Sequence, residues 1–201
     1  MNLLLSSILL GVLLLLALMG IERVRPRPRD LMPVVVLTAL AILGRVVTMP
    51  IPNFQPATAL IVLVGLFFGK RAGVLSGMLV ALISNFILGQ GPWTLWQMFA
   101  WAAVGFGAGI LGDIFANPVT HIIVVAYGVI ASMLYGLFLD LQFFIAYAWE
   151  TGWTGLFAAW SMGLIMNLTH AVSTLIFLLV TLVPWGTKLQ RLKTKYAIRN
   201  L

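Results

Sequence analysis

The sequence predicts an all-α integral membrane protein, and composition and the lengths of the apolar runs support that prediction. Of the 201 residues, 62% are hydrophobic and only 8% are charged, and the mean hydropathy is +1.08. An ordinary soluble domain carries roughly 25% charged residues, so a water-soluble globule is excluded. Most of the apolar runs approach the ~20 residues that a membrane-spanning helix needs, whereas barrel strands would alternate in segments of about 10 residues.

Seven apolar runs predict seven helices. The first of them, residues 1–20, lacks the basic segment and the cleavage site of a signal peptide, so we expect an uncleaved transmembrane helix. The other six runs lie at 31–49, 56–69, 72–89, 94–112, 118–139 and 156–184. The run 56–69 is short for a span, which predicts a helix that is buried among its neighbours or tilted.

These runs divide the chain into four predicted regions. They are an extra N-terminal transmembrane helix (1–21), a basic linker (22–30), a six-helix membrane domain (31–184) and a basic tail (185–201).

Basic residues are concentrated on one side of the predicted helices. The segments 22–30, 70–71 and 185–201 hold every Lys and Arg except Arg45. By the positive-inside rule, this side is cytoplasmic, with the C-terminus inside and the N-terminus outside. The net charge of +7 therefore reflects membrane topology. We expect lipid headgroups, and not nucleic acid, as the partner of these charges.

Small residues recur at four-residue intervals on the predicted helices. They are Gly65, Gly69, Gly73, Gly77 and Ala81, followed by Gly105 and Gly109. Such faces let two helix backbones approach closely, and we expect them to pack against each other inside one bundle.

Motifs for catalysis and metal binding are missing from the sequence. The segment 68–71 resembles the end of a P-loop but lacks the first glycine and the final Ser or Thr of that motif. No serine follows a glycine at the spacing of a serine hydrolase, His121 and His170 are isolated, and there is no cysteine. We therefore expect neither an enzyme nor a bound cofactor or metal.

Polar side chains within the apolar runs predict a binding site, because each costs free energy in the membrane. Several of them share helix faces near the outer side, and two turn-rich loops at 50–56 and 89–94 lie close to them. The aromatic stretch 140–155 is a candidate lid. The predicted binding residues are Arg45, Asn85, Gln90, Trp93, Trp96, Gln97, Trp101, Tyr135, Asp140, Asn167 and His170.

A structural role remains an alternative for several of these residues. Arg45 is close enough to a helix end to reach the membrane surface, and His170 is suited to a hydrogen bond between helices. The tryptophans alternatively form an interfacial aromatic belt.

Several segments resemble the membrane-embedded substrate-binding (S) components of energy-coupling factor (ECF) vitamin transporters. The resemblance covers about 31–184 and is strongest at Gly89-Gln-Gly-Pro-Trp-Thr-Leu-Trp-Gln-Met98. It extends to Pro52-Asn-Phe-Gln-Pro56, Phe68–Gly73, Ser84-Asn85 and Asn167–Thr174. The subgroup that this chain most resembles is the one for cobalamin and related corrinoids.

The resemblance implies a six-helix subunit in the plasma membrane of a prokaryote that captures a vitamin from outside. Such a subunit joins a membrane coupling protein and two cytoplasmic ATPases, and it topples to release its ligand. The extra N-terminal helix departs from the family pattern. The first core helix also lacks a clean A-x-x-x-A motif for the coupling protein, and the nearest small residues are Thr38, Ala41 and Gly44.

Other functions remain open from the sequence. One is an S component for another planar vitamin such as riboflavin, and another is a self-sufficient transporter or channel for small solutes. A membrane scaffold without a ligand would leave the shared polar faces unexplained.

Overall fold

The computed structural model describes residues 3–22, 27–115 and 121–200, and within these ranges the chain is helical and contains no strand. Seven α-helices and one short 3₁₀ helix, Trp149–Thr151, make up the described part of the fold. The α-helices are α1 Leu3–Glu22, α2 Pro28–Val47, α3 Ala57–Phe68, α4 Lys70–Leu88, α5 Trp93–Ile114, α6 His121–Tyr147 and α7 Gly152–Lys195.

Five of the described helices, α2 and α4 to α7, are long and apolar enough to cross a membrane. This finding supports the prediction of an all-α, multi-pass membrane protein. Short connections make successive helices run in opposite directions, so the bundle has two ends. We call them the pocket end, with the connections 48–56, 89–92 and 148–151, and the basic end, with Gly69 and residues 196–200.

Helix α3 lies at the centre of the bundle. All twelve of its residues are buried, and it contacts α2, α4, α5, α6 and α7. At 1.5 Å per residue it is about 18 Å long, too short for a ~30 Å hydrocarbon core. Of the two alternatives predicted for the short run 56–69, burial among neighbouring helices is the one observed.

Glycines bring α5 into backbone contact with α3 and α4. Gly73 on α4 and Gly105 on α5 face each other so closely that a Cβ added to either would overlap the backbone of the other. A Cβ on Gly65 would overlap the Gly105 carbonyl, and one on Gly109 would overlap the backbone of Lys70. The glycine spacing thus serves packing within the bundle, as predicted.

Helix α1 lies against the outside of the bundle and contacts α4, α5 and α6. Leu10 joins a buried apolar cluster with Trp96, and Leu14 joins another with Met78 and Ala102. Its opposite face is exposed, as a helix surface that meets lipid would be.

The helices continue further than the apolar runs predict. Helix α6 extends to Tyr147 and α7 begins at Gly152, so the predicted lid at 140–155 consists largely of two helix ends. Helix α7 also passes through Pro184 and ends at Lys195, so most of the predicted tail is helical. Of the predicted linker, α1 includes Glu22, α2 begins at Pro28, and 23–26 lie outside the described residues.

The C-terminal segment is fixed to the start of α2. The Asp30 carboxylate accepts hydrogen bonds from Arg27 Nε at 2.8 Å and from the Arg199 backbone N–H at 3.1 Å. Arg27 also donates to the Ala197 carbonyl, and Ile198 is buried. These contacts hold this part of the predicted basic tail against the start of α2.

The three residues predicted to contact a coupling protein pack against other parts of this chain. Thr38 and Ala41 are buried, and Thr38 Oγ1 donates to Ser76 Oγ on α4 at 2.8 Å. A Cβ on Gly44 would overlap the ring of Pro56. These three residues lie on the face of α2 that packs into the bundle, because small residues allow its close approach to α3 and α4.

Candidate functional site

A cavity of about 300 Å³ opens at the pocket end, between the α2–α3 connection and helices α6 and α7. This volume lies at the lower end of the range of small-molecule sites. The wall combines apolar side chains with amides, an imidazole, a guanidinium and a carboxylate. Its residues are Arg45, Thr48, Met49, Ile51, Asn53, Phe54, Gln55, Leu88, Gln97, Tyr135, Gly136, Leu139, Asp140, Gly163, Met166, Asn167 and His170.

The guanidinium of Arg45 is held by neutral oxygen atoms from three parts of the fold. Its Nε donates to Gln55 Oε1 at 3.0 Å, and its Nη1 donates to Asn85 Oδ1 at 2.8 Å and to Ser84 Oγ. Its Nη2 makes a longer bond of 3.4 Å to Gln97 Oε1. These contacts fix the position of a positive charge at the cavity wall without neutralising it.

A second layer of amides and hydroxyls orients the first. Asn85 is 1% exposed, and its Nδ2 donates to Gln97 Oε1 at 2.8 Å and to Thr94 Oγ1 at 3.0 Å. One amide of α4 therefore positions both the arginine of α2 and the glutamine of α5. It can do so because an amide side chain carries donors and acceptors together.

Aromatic rings and one hydroxyl form the floor beneath Arg45. The Arg45 guanidinium carbon lies 4.9 Å from the centroid of the Trp101 ring, a cation–π contact. Trp101 stacks on Tyr135 with ring centroids 4.8 Å apart, and Tyr135 meets His170 edge to face at 5.0 Å. Trp101 Nε1 donates to Thr58 Oγ1 at 2.9 Å.

The same hydroxyl of Thr58 fixes His170. Thr58 Oγ1 and His170 Nε2 are 2.7 Å apart. A hydroxyl that accepts from Trp101 can either donate to His170 Nε2 or accept from it, so Thr58 joins α3, α5 and α7 through one oxygen atom for either imidazole tautomer. The predicted helix-to-helix hydrogen bond of His170 is therefore present, and His170 also lines the cavity.

The opposite wall carries Asp140 and Asn167. Asn167 Nδ2 donates to Asp140 Oδ2 at 2.7 Å. Glycines make room for this pair, since a Cβ on Gly136 would overlap the Asn167 amide and one on Gly163 would overlap the Asp140 carboxylate.

The α2–α3 connection covers the cavity and is anchored to α7. The Gln55 backbone N–H donates to Ser173 Oγ at 2.7 Å, and that hydroxyl donates back to the Gln55 carbonyl at 2.9 Å. Asn53 has a left-handed backbone, with φ at 55°, and its Nδ2 donates to the Met166 carbonyl at 3.3 Å. This connection contributes six residues to the cavity wall, whereas the stretch 140–155 contributes only Asp140.

Six of the eleven predicted binding residues line the cavity together. They are Arg45, Gln97, Tyr135, Asp140, Asn167 and His170. Asn85 and Trp101 lie directly behind Arg45 and contact it. Ligand contact by these residues stays a prediction, whereas their convergence at one end of the bundle is observed.

The other three predicted residues lie elsewhere. Trp96 is buried against Phe138, with ring centroids 4.9 Å apart. Trp93 is 42% exposed, and Gln90 donates to the Leu82 carbonyl outside the cavity. The cavity wall therefore contains none of the three predicted tryptophans, and Trp101 contacts this wall through Arg45 and Tyr135.

The residue that sequence reasoning missed most clearly is Gln55. It is buried, bonds to Arg45 and lines the cavity. Its signal was present, because Gln55 belongs to the segment Pro52–Pro56 that contributes to the ECF resemblance.

Replacing Thr58 with valine tests the hydroxyl at the centre of this floor. The variant keeps the shape of the side chain but leaves Trp101 Nε1 and His170 Nε2 without their buried partner. We expect the unfolding free energy to fall by about 2–4 kcal/mol, the usual penalty for one or two buried unsatisfied groups. Thermal unfolding in one detergent measures this loss.

The matched control is Thr187→Val. Thr187 is exposed, and its hydroxyl donates only to Val183 within its own helix. Equal unfolding temperatures for the two variants would show that the Thr58 hydroxyl does not stabilise the floor.

Comparison with curated proteins gave no match, and comparison with solved structures gave none either. A family match covers residues 25–191, which include helices α2 to α6 and most of α7. The match begins after α1, so the cavity and all its walls lie within it. The chain therefore belongs to DUF6580, a family of unknown function.

Proposed function

We propose that this chain is a membrane-embedded binding subunit for a vitamin-sized solute, acting as the S component of an ECF-type importer. The observation that supports this proposal best is the cavity itself. It places a guanidinium, a carboxylate, four amides and an imidazole inside an otherwise apolar helical bundle. Polar groups at these positions cost free energy in a membrane protein, and the binding of a small solute would explain why they are present.

The volume of the cavity limits the size of the ligand that it can hold. A water molecule occupies ~30 Å³ in the liquid, and we allow each non-hydrogen atom of a ligand about 15–30 Å³. A cavity of about 300 Å³ then holds roughly 10–20 non-hydrogen atoms. Thiamine, biotin and pantothenate have this size. A corrinoid has several times as many non-hydrogen atoms as this range allows. Riboflavin also exceeds the range, but by a smaller number of atoms. We therefore favour a small vitamin over the corrinoid that the sequence resemblance implies.

The placement of the basic residues supports a proposed direction of transport. We propose that the basic end is cytoplasmic and that the pocket end opens to the outside of a prokaryotic plasma membrane. The chain has no recognisable nucleotide-binding motif, so we propose that a membrane coupling protein and two cytoplasmic ATPases supply the energy.

Calorimetric titration of the purified full chain tests the proposed function. The panel is thiamine, biotin, pantothenate, riboflavin, folate and cobalamin, each added to protein in the same detergent. We expect submicromolar binding of one of the three smaller vitamins with a stoichiometry of one. Cobalamin binding would retain an S component but overturn the size argument, and no binding to any member would contradict the proposed function.

A further inference from the structure

We infer that the solute is bipolar: it presents a carboxylate to Arg45 and an N–H or O–H donor to Asp140. This inference rests on the proposed function and specifies its ligand. It follows from the two charged side chains of the cavity wall, neither of which has an ionic partner in the described part of the chain.

The charge of Arg45 is uncompensated. Ion pairs within the described residues join Arg27 to Asp30 and Lys70 to Asp113, and both pairs lie at the basic end. Arg45 instead contacts neutral amide and hydroxyl oxygens and the π face of Trp101. An anionic group in the cavity would supply the missing countercharge at a site of reduced dielectric constant, where the attraction is strong.

The donor capacity of Arg45 is also incomplete. A guanidinium has five N–H groups, and Arg45 uses four of them in hydrogen bonds to described residues. The remaining N–H is on Nη2, and the other Nη2 bond, to Gln97, is long at 3.4 Å. A carboxylate is suited to this position, since guanidinium–carboxylate bonds are among the strongest in proteins.

The Asp140 end has the opposite character. Its Oδ2 accepts from Asn167, and its Oδ1 accepts no hydrogen bond from the described residues. Because Gly163 has no side chain, the Asp140 carboxylate has space beside it at the cavity wall. An ionised carboxylate can accept several hydrogen bonds, so Asp140 has capacity for donors of a ligand.

The two charges together select against other ligand classes. Arg45 and Asp140 are the cavity residues with opposite formal charges, so the wall is close to neutral overall. A polyanion would meet repulsion from Asp140, and a cation without an acid group would meet repulsion from Arg45. A molecule with a carboxylate at one end and hydrogen-bond donors at the other can pair with both Arg45 and Asp140.

Acid and neutral analogues of one molecule test this inference on the unaltered chain. The probes are pantothenate against panthenol, which has an alcohol in place of the carboxylate, and biotin against biotinamide. Calorimetry should show binding of at least one acid, with its neutral analogue bound at least 10-fold more weakly. Equal affinity for acid and neutral forms would overturn the inference, and so would preference for a vitamin without a carboxylate such as thiamine.

Two variants locate the charges within the site. Arg45→Gln should remove the preference for the acid, so that acid and neutral analogue bind equally. Asp140→Asn should weaken both members of the pair about 10-fold while keeping the preference for the acid. Arg71→Gln and Glu150→Gln, which change exposed charges at the basic and pocket ends, are the matched controls and should bind as the unaltered chain does.

The outcomes separate the inference from the function it rests on. Binding that ignores the carboxylate, or an acid preference that survives Arg45→Gln, overturns the bipolar ligand but leaves a solute-binding protein. A complete lack of binding to the vitamin panel and to these probes overturns the proposed function and the inference with it.

Discussion

Gly105→Val is expected to prevent assembly of the bundle. A Cβ at this position would overlap the backbone of Gly73, and a valine side chain is larger still. Overpacking usually costs about 1–3 kcal/mol, but that value assumes that side chains can rearrange. Here the obstacle is the backbone of another helix, so we expect a loss above about 3 kcal/mol and little monodisperse protein. Size-exclusion chromatography and thermal unfolding in detergent measure the effect.

Gly11→Val provides the matched control for this substitution. Gly11 lies within the apolar helix α1, but nothing approaches within 4 Å of an added Cβ. The control should elute and unfold like the unaltered chain. If Gly105→Val also behaves like the unaltered chain, the close contact between α4 and α5 does not exist.

Asn85→Leu is expected to weaken solute binding strongly. Leucine has nearly the size of asparagine, but it accepts nothing from Arg45 and donates nothing to Gln97 or Thr94. The guanidinium would then lose a 2.8 Å bond, and Gln97 would lose the donor that orients it. A hydrogen bond to a charged group contributes about 1.5–3 kcal/mol, so we expect affinity to fall about 10- to 150-fold. Calorimetry with the best-bound vitamin measures this change.

Gln90→Leu is the control for Asn85→Leu. It makes the same kind of polar-to-apolar change at a residue that the sequence placed in the site and the structure places outside the cavity. Affinity should stay within a factor of about two. A larger loss in Gln90→Leu than in Asn85→Leu would favour the sequence-based assignment over the observed site.

Most of the fold could be predicted from the sequence because membranes constrain it strongly. The helical class follows from the length of the apolar runs, and the burial of α3 follows from its short run. The spacing of Gly73 and Gly105 indicated close packing, although it did not say which helices would meet. The ends of α6 and α7 were missed because hydropathy marks where a run stops being apolar, whereas a helix continues until its backbone geometry changes.

The site was only partly predictable from the sequence. The sequence shows which residues share a helix face, but it does not show how far each residue lies from the pocket end or which neighbour the face meets. Gln97 and Trp101 share a face of α5, yet one helical turn places Trp101 about 6 Å further from the pocket end. The amide therefore reaches the cavity wall while the indole forms the floor. Gln55 lies in a connection without periodicity, so no helix-face argument could place it beside Arg45, although it belongs to a segment that contributes to the resemblance.

The surface for a partner could not be located by small residues alone. The same property that lets Ala41 approach another protein also lets it approach α3 and α4 within its own bundle. Sequence does not distinguish the two, and in this structure the internal contact is the one that forms.

Native mass spectrometry tests the central claim, that the cavity binds one small solute, most directly. The full chain is incubated with the six-vitamin mixture, released from detergent and weighed. The account predicts a single one-to-one adduct with one of the smaller vitamins, which Gln90→Leu keeps and Asn85→Leu loses. Absence of any adduct, or an adduct that Asn85→Leu retains unchanged, would contradict it.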